Sequence, residues 1–324
     1  MVPMVAGTLN RQVVAHGGLW ILVSRFWQRL NEEHSAQLAD HGLESIKRVQ
    51  ALRYFTWRWS PRRLLGPQGR YLLSRSNPVQ WLRAALAPNE LGREAWSPAP
   101  WSLGDRWAYT VATRLLWQVA LAHGDPTVIE APEPELGNPF PVSWRGRLIS
   151  QDLANTALEI GSMTEALAGR SPSSVVEIGA GYGRTAYGIL NRYPEATYTV
   201  VDIRPALDIS RWYLETLFPD RQLTFIDAAG GVPELPPFDL AISISSLHEM
   251  TVELVDEYLG LLDRAALPGA TVYFKQWLKW WNPVDEIEMT MDRYRMPDRW
   301  RRLLERRARV QQQFGEAAWE APAG

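Results

Sequence analysis

Between Ser174 and Phe274, short apolar runs alternate with helical stretches. The predicted strands are Val175–Ile178, Tyr198–Val201, Leu223–Ile226, Leu240–Ile244 and Thr271–Phe274, and the helices between them are Arg184–Tyr193, Pro205–Leu217 and Val252–Leu262. Strands that alternate with helices are typical of a parallel sheet covered on both faces. We therefore predict an α/β fold with a doubly wound, mostly parallel sheet. An antiparallel hairpin of 306–312 and 317–319 is predicted at the sheet edge.

The preceding part of the chain is predicted to be mainly helical. Apolar residues recur at helical spacing in Leu19–Ala39, Glu44–Trp59 and Trp107–His123, and a further helix, Ser150–Leu167, leads into the sheet. The proline-rich stretch 130–141 favours a boundary, so we predict an N-terminal region 1–145 and a second domain 146–324. We expect the N-terminal region to form a lid, part of a substrate chamber or a homodimer contact.

Tryptophan is concentrated in this N-terminal region. Ten of the 16 tryptophans precede position 150, and they are Trp20, Trp27, Trp57, Trp59, Trp81, Trp96, Trp101, Trp107, Trp117 and Trp144. Indole rings stack on flat or apolar ligands, which would suit a substrate chamber. The alternative is that they fill the core of a helical domain.

Composition excludes several classes of protein. The chain has no cysteine, which excludes disulfides and thiolate chemistry, and its net charge of −2 lacks the footprint of a nucleic-acid binder. The basic run 299–309 is interpreted as a solvated helix face. The apolar patch 18–23 is too short for a membrane span and is not followed by a typical cleavage site. We expect a cytoplasmic protein without a membrane or nucleic-acid partner.

A glycine-rich turn follows the first predicted strand and reads Glu177-Ile178-Gly179-Ala180-Gly181-Tyr182-Gly183. In doubly wound sheets this turn lies against the ligand. The dinucleotide pattern G-x-G-x-x-G would need glycine at position 184, where the chain has Arg184. Glu177 would repel a pyrophosphate but attract a cationic ligand. The turn therefore favours S-adenosylmethionine, which carries a sulfonium and an ammonium group.

Two further acids end the next two strands. Asp202, 19 positions after Gly183, is placed to accept hydrogen bonds from both ribose hydroxyls, and Asp227 to meet an adenine amino group. Three acids at three successive strand ends strengthen the prediction of an S-adenosylmethionine site. The predicted cofactor-binding residues are Glu177, Gly179, Ala180, Gly181, Gly183, Asp202, Ile203, Asp227, Ala228 and Ser245.

The C-terminal half resembles class I, Rossmann-like methyltransferases, and a longer pattern is similar to the sugar O-methyltransferase family. The narrower resemblance rests on Glu135–Pro139, Gly146–Asn155, Ser246-Leu247-His248-Glu249-Met250 and Phe274-Lys275-Gln276-Trp277. It covers roughly positions 135 to 280. It implies methyl transfer to a hydroxyl, often on a sugar of a secondary metabolite, so the expected partner is a small hydroxylated acceptor such as a sugar or glycoside.

His248 is the predicted catalytic base, since it alone of five histidines follows the fourth strand, and an imidazole suits proton transfer near neutral pH. The alternative is a structural histidine that caps the next helix. Glu249 is the second catalytic candidate, because it could orient the imidazole or hold a substrate hydroxyl. It could equally be a helix cap.

Six polar or aromatic residues are predicted to bind the substrate: Gln151, Asp152, Asn155, Lys275, Gln276 and Trp277. A plain helix start capped by Ser150 is the alternative for the first three, and a buried aromatic cluster of Trp277, Trp280 and Trp281 for the last. No metal is expected, because the acids serve the cofactor. The competing functions are a methyltransferase for nucleic acid or a non-sugar small molecule, and a non-catalytic partner subunit.

Overall fold

The structure is a computed structural model that describes residues 25–48, 60–89, 101–231, 233–282 and 286–323. Parts of two predicted helices, 19–24 and 49–59, lie outside the described residues, as does the apolar patch 18–23. So do His16, Trp20, Trp57, Trp59 and Trp96. In the described part of the chain, no helix is long and apolar enough to cross a membrane.

The N-terminal part is helical, as predicted. Its helices are α1 (Arg25–His41), α2 (Pro61–Leu64), α3 (Pro67–Ser74), α4 (Pro78–Leu86), α5 (Leu103–His123) and α6 (Pro126–Glu130). Helix α5 begins four residues before the predicted start because the Ser102 side chain accepts a hydrogen bond from the Asp105 N–H and caps it. Trp101 and Trp117 are buried in the core, whereas Trp107 is exposed.

A small hairpin that the sequence did not predict precedes the sheet domain. It pairs β1 (Val142–Trp144) with β2 (Arg147–Ile149) through Arg145 and Gly146, both with positive φ. Helix α7 (Gln151–Leu167) follows and is capped by Ser150. One hydrophobic core contains α5 residues such as Trp117 together with α7 residues such as Ile160, so the core continues across position 145. The division at 145/146 stays a prediction.

The C-terminal part is a seven-stranded sheet with helices between its strands. The strands of the sheet are β3 (Ser174–Ile178), β4 (Thr197–Asp202), β5 (Leu223–Asp227), β6 (Phe238–Ile244), β7 (Ala266–Trp277), β10 (Arg301–Arg307) and β11 (Phe314–Glu320). The helices between them are α8 (Arg184–Arg192), α9 (Ala206–Leu217) and α10 (Val252–Ala265). A separate small hairpin, β8 (Lys279–Asn282) and β9 (Ile287–Thr290), lies between β7 and β10 in the chain. The strand order is β10-β11-β7-β6-β3-β4-β5, and β11 alone runs against its neighbours. This arrangement is the class I methyltransferase fold, which confirms the fold prediction.

The edge hairpin exists but starts earlier than predicted. The first strand was predicted at 306–312, but β10 covers Arg301–Arg307. Most of the predicted strand lies in the loop 308–313, which connects β10 to β11. Most of the basic run therefore lies in an edge strand, and its interpretation as a helix face was wrong. Arg301 on this strand pairs with Glu320 of β11, a contact that only the folded hairpin creates.

Candidate functional site

A cleft opens at the carboxyl ends of β3, β4 and β6, where the strand order reverses and doubly wound sheets bind ligands. Its empty volume, open mouth included, is about 1460 Å³. Its walls come from α7, the glycine-rich turn, the ends of β4, β6 and β7, and the 308–313 loop. The predicted site residues that line it are Gln151, Asp152, Asn155, Glu177, Gly179, Ala180, Gly181, Asp202, Ile203, Ala228, Ser245, Glu249 and Lys275.

The glycine-rich turn holds its shape through contacts that a side chain would block. Gly179 has φ +76°, and a Cβ there would lie 2.1 Å from the Ser246 Oγ. The Gly181 N–H donates to Asp202 Oδ2 at 2.9 Å, and the Ile203 N–H donates to Oδ1 at 2.8 Å. Asp202 therefore ties the turn to the end of β4 while it lines the cleft.

Burial changes the protonation of the two acids nearest the turn. Glu177 is buried, and although the Tyr198 hydroxyl donates to its Oε2 at 2.7 Å, burial raises its pKa to about 7. Burial also raises the pKa of Asp202 to about 7, against the opposing effect of the backbone N–H groups that it accepts from. Both carboxyls thus titrate near neutral pH, where a cationic ligand would favour their ionised forms.

Helix α7 forms the opposite wall through one helix face. Asp152 accepts a hydrogen bond from the Tyr182 hydroxyl at 2.7 Å, which links α7 to the turn, and burial raises the pKa of Asp152. Asn155 lies on the same face and makes no side-chain hydrogen bond to the described residues. Its amide is available to a ligand.

A buried charge network lies at the base of this wall. Glu159 Oε2 is 2.5 Å from Arg184 Nη1, and Glu159 Oε1 is 2.6 Å from Lys275 Nζ, which also donates to Gln311 at 2.5 Å. Burial alone would raise the pKa of Glu159, but the two cations hold it below its usual value. Arg184, the residue that breaks the dinucleotide pattern, therefore holds α7 against the turn.

The structure places His248 behind the cleft wall, where it is 1% exposed. Its Nδ1 is 3.2 Å from Gln276 Oε1, its Nε2 is 3.4 Å from Glu249 Oε1, and its ring packs edge-on against Trp280. Burial lowers its pKa to about 4, so the imidazole is neutral at pH 7. Glu249 lines the cleft, whereas His248 does not.

Gln276 fixes the tautomer of this histidine. Its Nε2 donates to the Ser243 carbonyl at 3.1 Å, and its Oε1 accepts from the Ser246 N–H at 3.1 Å. An amide oxygen cannot donate, so the proton of the neutral imidazole lies on Nδ1 and leaves Nε2 as an acceptor facing Glu249.

Four other predicted residues do not line the cleft. Gly183 begins α8 with φ +94°, and Asp227 is exposed, caps the following turn through the Ala229 N–H, and pairs with Arg204 at 3.1 Å. Gln276 is buried behind the wall. The centroid of the Trp277 ring lies 4.7 Å from that of the Phe314 ring within an aromatic cluster. The cofactor and substrate contacts predicted for these four residues stay predictions.

Several cleft residues were not among the predicted set, notably Tyr182, Arg184, Glu159, Tyr258 and Gln311. Glu159 could have been found, because it lies four and seven positions after Asn155 and Asp152 on the same helix face. Gln311 carried no signal, since its position depends on the hairpin register. Among the described residues, no group of three or more histidines or acids could hold a metal ion.

The N-terminal part reaches the back of the turn. Lys47 forms a buried pair with Glu133 at 2.8 Å, and its Nζ lies 5.6 Å from the Tyr182 ring centroid. Glu133 in turn accepts a 2.5 Å hydrogen bond from Ser150, the cap of α7. None of the described residues before Gln151 lines the cleft, so its role as a lid stays a prediction.

No family model matches the chain. It is 33% identical over 115 residues to protein-L-isoaspartate O-methyltransferase from Methylobacillus flagellatus, covering 35% of this chain and 50% of that protein. It is 31% identical over 130 residues to ribosomal RNA large subunit methyltransferase G from Aeromonas salmonicida, covering 37% and 34%. The chain thus spans about half the length of the first relative and a third of the second.

Two solved structures are similar at low identity. The N-methyltransferase NodS from Bradyrhizobium japonicum, in complex with S-adenosyl-L-homocysteine, aligns with a TM-score of 0.40 and 12% identity over 51% of this chain and 85% of that one. The plantazolicin methyltransferase BpumL, also in complex with S-adenosyl-L-homocysteine, aligns with a TM-score of 0.39 and 12% identity over 52% and 84%.

Proposed function

We propose that the cleft binds S-adenosylmethionine and that the protein is an S-adenosylmethionine-dependent methyltransferase. The observation that carries this proposal is the glycine-rich turn, closed to side chains at Gly179 and joined to the Asp202 carboxylate at the end of β4. Glu177 and Asp202 offer negative charge and hydrogen-bond acceptors to a cationic nucleoside, and no basic side chain of the described residues forms an ion pair with either. Both curated relatives are methyltransferases, which supports the proposal.

The acceptor is a hydroxyl group of a sugar or a sugar-like small molecule. The wall opposite the turn presents polar side chains, among them Gln151, Asn155, Lys275 and Gln311, while Phe314 adds an aromatic face. Hydrogen-bonding groups beside an aromatic ring suit a polyhydroxylated ring, which has polar edges and an apolar face. The resemblance to the sugar O-methyltransferase family points to the same class of acceptor.

Glu249 accepts the proton of the acceptor hydroxyl, and His248 stabilises the protonated form of Glu249. Bound S-adenosylmethionine supplies an electrophilic methyl group, so the chain has to orient the acceptor oxygen and remove its proton. Glu249 lines the cleft, and once it takes up the proton its hydroxyl can donate to His248 Nε2, which Gln276 keeps as an acceptor. In this proposal Glu249 is the base, and His248, which the sequence suggested as the base, supports Glu249 instead.

Transfer of labelled methyl groups from S-adenosylmethionine to a panel of sugars and glycosides tests the proposal. Product should form with the wild type, and Glu249→Gln should cut turnover about 10²–10⁴-fold without loss of S-adenosylhomocysteine affinity. Glu253→Gln, on the exposed start of α10, is the matched control. Methyl transfer to an amine but never to a hydroxyl would refute the acceptor class, and full activity of Glu249→Gln would refute the base.

A further inference from the structure

A second cavity lies between the N-terminal helices and the C-terminal hairpin. Its empty volume, open mouth included, is about 600 Å³. We call it the basic groove, and its lining consists of Tyr71, Arg75, Val119, His123, Arg306, Arg307, Ala308, Arg309 and Gln312. None of these residues lines the cleft described above, so the groove is a separate surface.

The charge of the basic groove is one-sided. Four arginines line it, and no acid among the described residues does. Arg306 is already satisfied, because its Nε pairs with Glu316, its Nη1 with Glu165 and its Nη2 donates to Ser162. Arg309 shares Glu165 with Arg306, so the excess positive charge resides on Arg75 and Arg307.

The three arginines other than Arg306 keep donors that no carboxylate uses. Arg75 stacks 5.1 Å from the Tyr71 ring centroid, and Arg307 donates to the Gln312 carbonyl at 3.3 Å; neither forms an ion pair within the described residues. Arg309 shares Glu165 with Arg306 at 3.3 Å, and its buried Nε has no acceptor in the described part of the chain. A buried donor without an acceptor costs free energy, which a bound anion would recover.

We propose that the basic groove is an anion site for a phosphate group, held by Arg75, Arg307 and Arg309. Guanidinium groups present planar pairs of N–H donors that match phosphate oxygens, and three arginines line one concavity together with Tyr71. The ligand is either an inorganic phosphate or pyrophosphate, or the phosphate of a phosphorylated sugar. This inference does not depend on the function proposed for the cleft.

Isothermal titration calorimetry with inorganic pyrophosphate and with glucose 1-phosphate tests the site, at a fixed ionic strength of about 0.15 M to screen exposed charges. Saturable one-to-one binding of at least one probe is expected, and the preferred probe distinguishes a free anion from a sugar phosphate. The double variant Arg75→Gln/Arg307→Gln should weaken binding about a hundredfold, roughly tenfold for each arginine lost. Both side chains are exposed, so the fold should survive their replacement.

Arg302→Gln is the matched control, since Arg302 lies on β10, is 59% exposed and pairs with Glu305 outside the groove. It should bind the probe as the wild type does. The proposal is overturned if neither probe saturates, if Arg302→Gln loses as much affinity as the double variant, or if saturating S-adenosylhomocysteine displaces the probe. Displacement would place the anion in the cleft, beside Arg184 and Lys275.

Discussion

Replacing Glu159 with glutamine removes the negative charge that lies between Arg184 and Lys275. Glu159 is 1% exposed and accepts hydrogen bonds from Arg184 and from Lys275, whose side chain is 5% exposed. Hydrogen bonds to charged partners contribute roughly 1.5–3 kcal/mol each, and removing one partner of a buried pair costs about 3–5 kcal/mol. Glutamine keeps one neutral acceptor, so we expect Glu159→Gln to lower the free energy of unfolding by about 3 kcal/mol.

Glu165→Gln is the matched control on the same helix. The Glu165 side chain is 51% exposed and pairs with the partly exposed Arg306 and Arg309. Ion pairs at the surface contribute about 0–1 kcal/mol. Urea unfolding of both variants, followed by tryptophan fluorescence and circular dichroism, should therefore separate them by about 2 kcal/mol or more.

The pH dependence of this effect has a definite sign. The folded-state pKa of Glu159 is lowered, so its stabilisation is present above the unfolded value of about 4.3 and is lost as pH falls through the folded value. The difference between wild type and Glu159→Gln should be constant from pH 6 to 8 and shrink below pH 4. A Glu159→Gln protein within about 1 kcal/mol of the wild type would refute the network as the link between α7 and the turn.

Three further predictions concern the cleft. Gly179→Ala should weaken S-adenosylhomocysteine binding at least about tenfold by calorimetry, because its Cβ would meet Ser246. Gly146→Ala, at a position with φ +76° but open space around it, should leave the affinity unchanged. Equal affinities of the two variants would contradict the turn geometry. His248→Ala should keep the wild-type affinity for S-adenosylhomocysteine but cut methylation about 10²–10⁴-fold, and full activity would remove His248 from the mechanism. Because burial raises the pKa of Asp202 to about 7, affinity should fall as pH drops from 8 to 6. Asp202→Asn should lose part of that dependence and keep the part due to Glu177, whose pKa burial also raises to about 7; a flat wild-type profile would count against the ionised role of Asp202.

The parts of this protein that could be predicted are those whose structure depends on residues close together in the sequence. The alternation of strands and helices and the G-x-G-x-G turn are local signals, because burial on both faces and positive φ select residue types directly. The position of Asp202 beside the turn was predictable for the same reason, because Asp202 ends the next strand along the chain.

Other features depend on contacts between distant residues. His248 lies behind the cleft wall, where Gln276, 28 positions away, accepts a hydrogen bond from its Nδ1–H, and no local pattern shows that contact. The basic run became a strand because it pairs with β11, and its doubled arginines hide the alternation expected of a strand. Lys275 meets Glu159 from 116 positions away, so their pairing required the fold.

Calorimetry of the wild-type protein with S-adenosylmethionine, S-adenosylhomocysteine and NADH tests the central claim most directly. We expect saturable one-to-one binding of both sulfur nucleosides and none of NADH, because the Glu177 and Asp202 carboxyls at the turn disfavour a pyrophosphate. Binding of NADH without binding of either sulfur nucleoside would contradict an S-adenosylmethionine site.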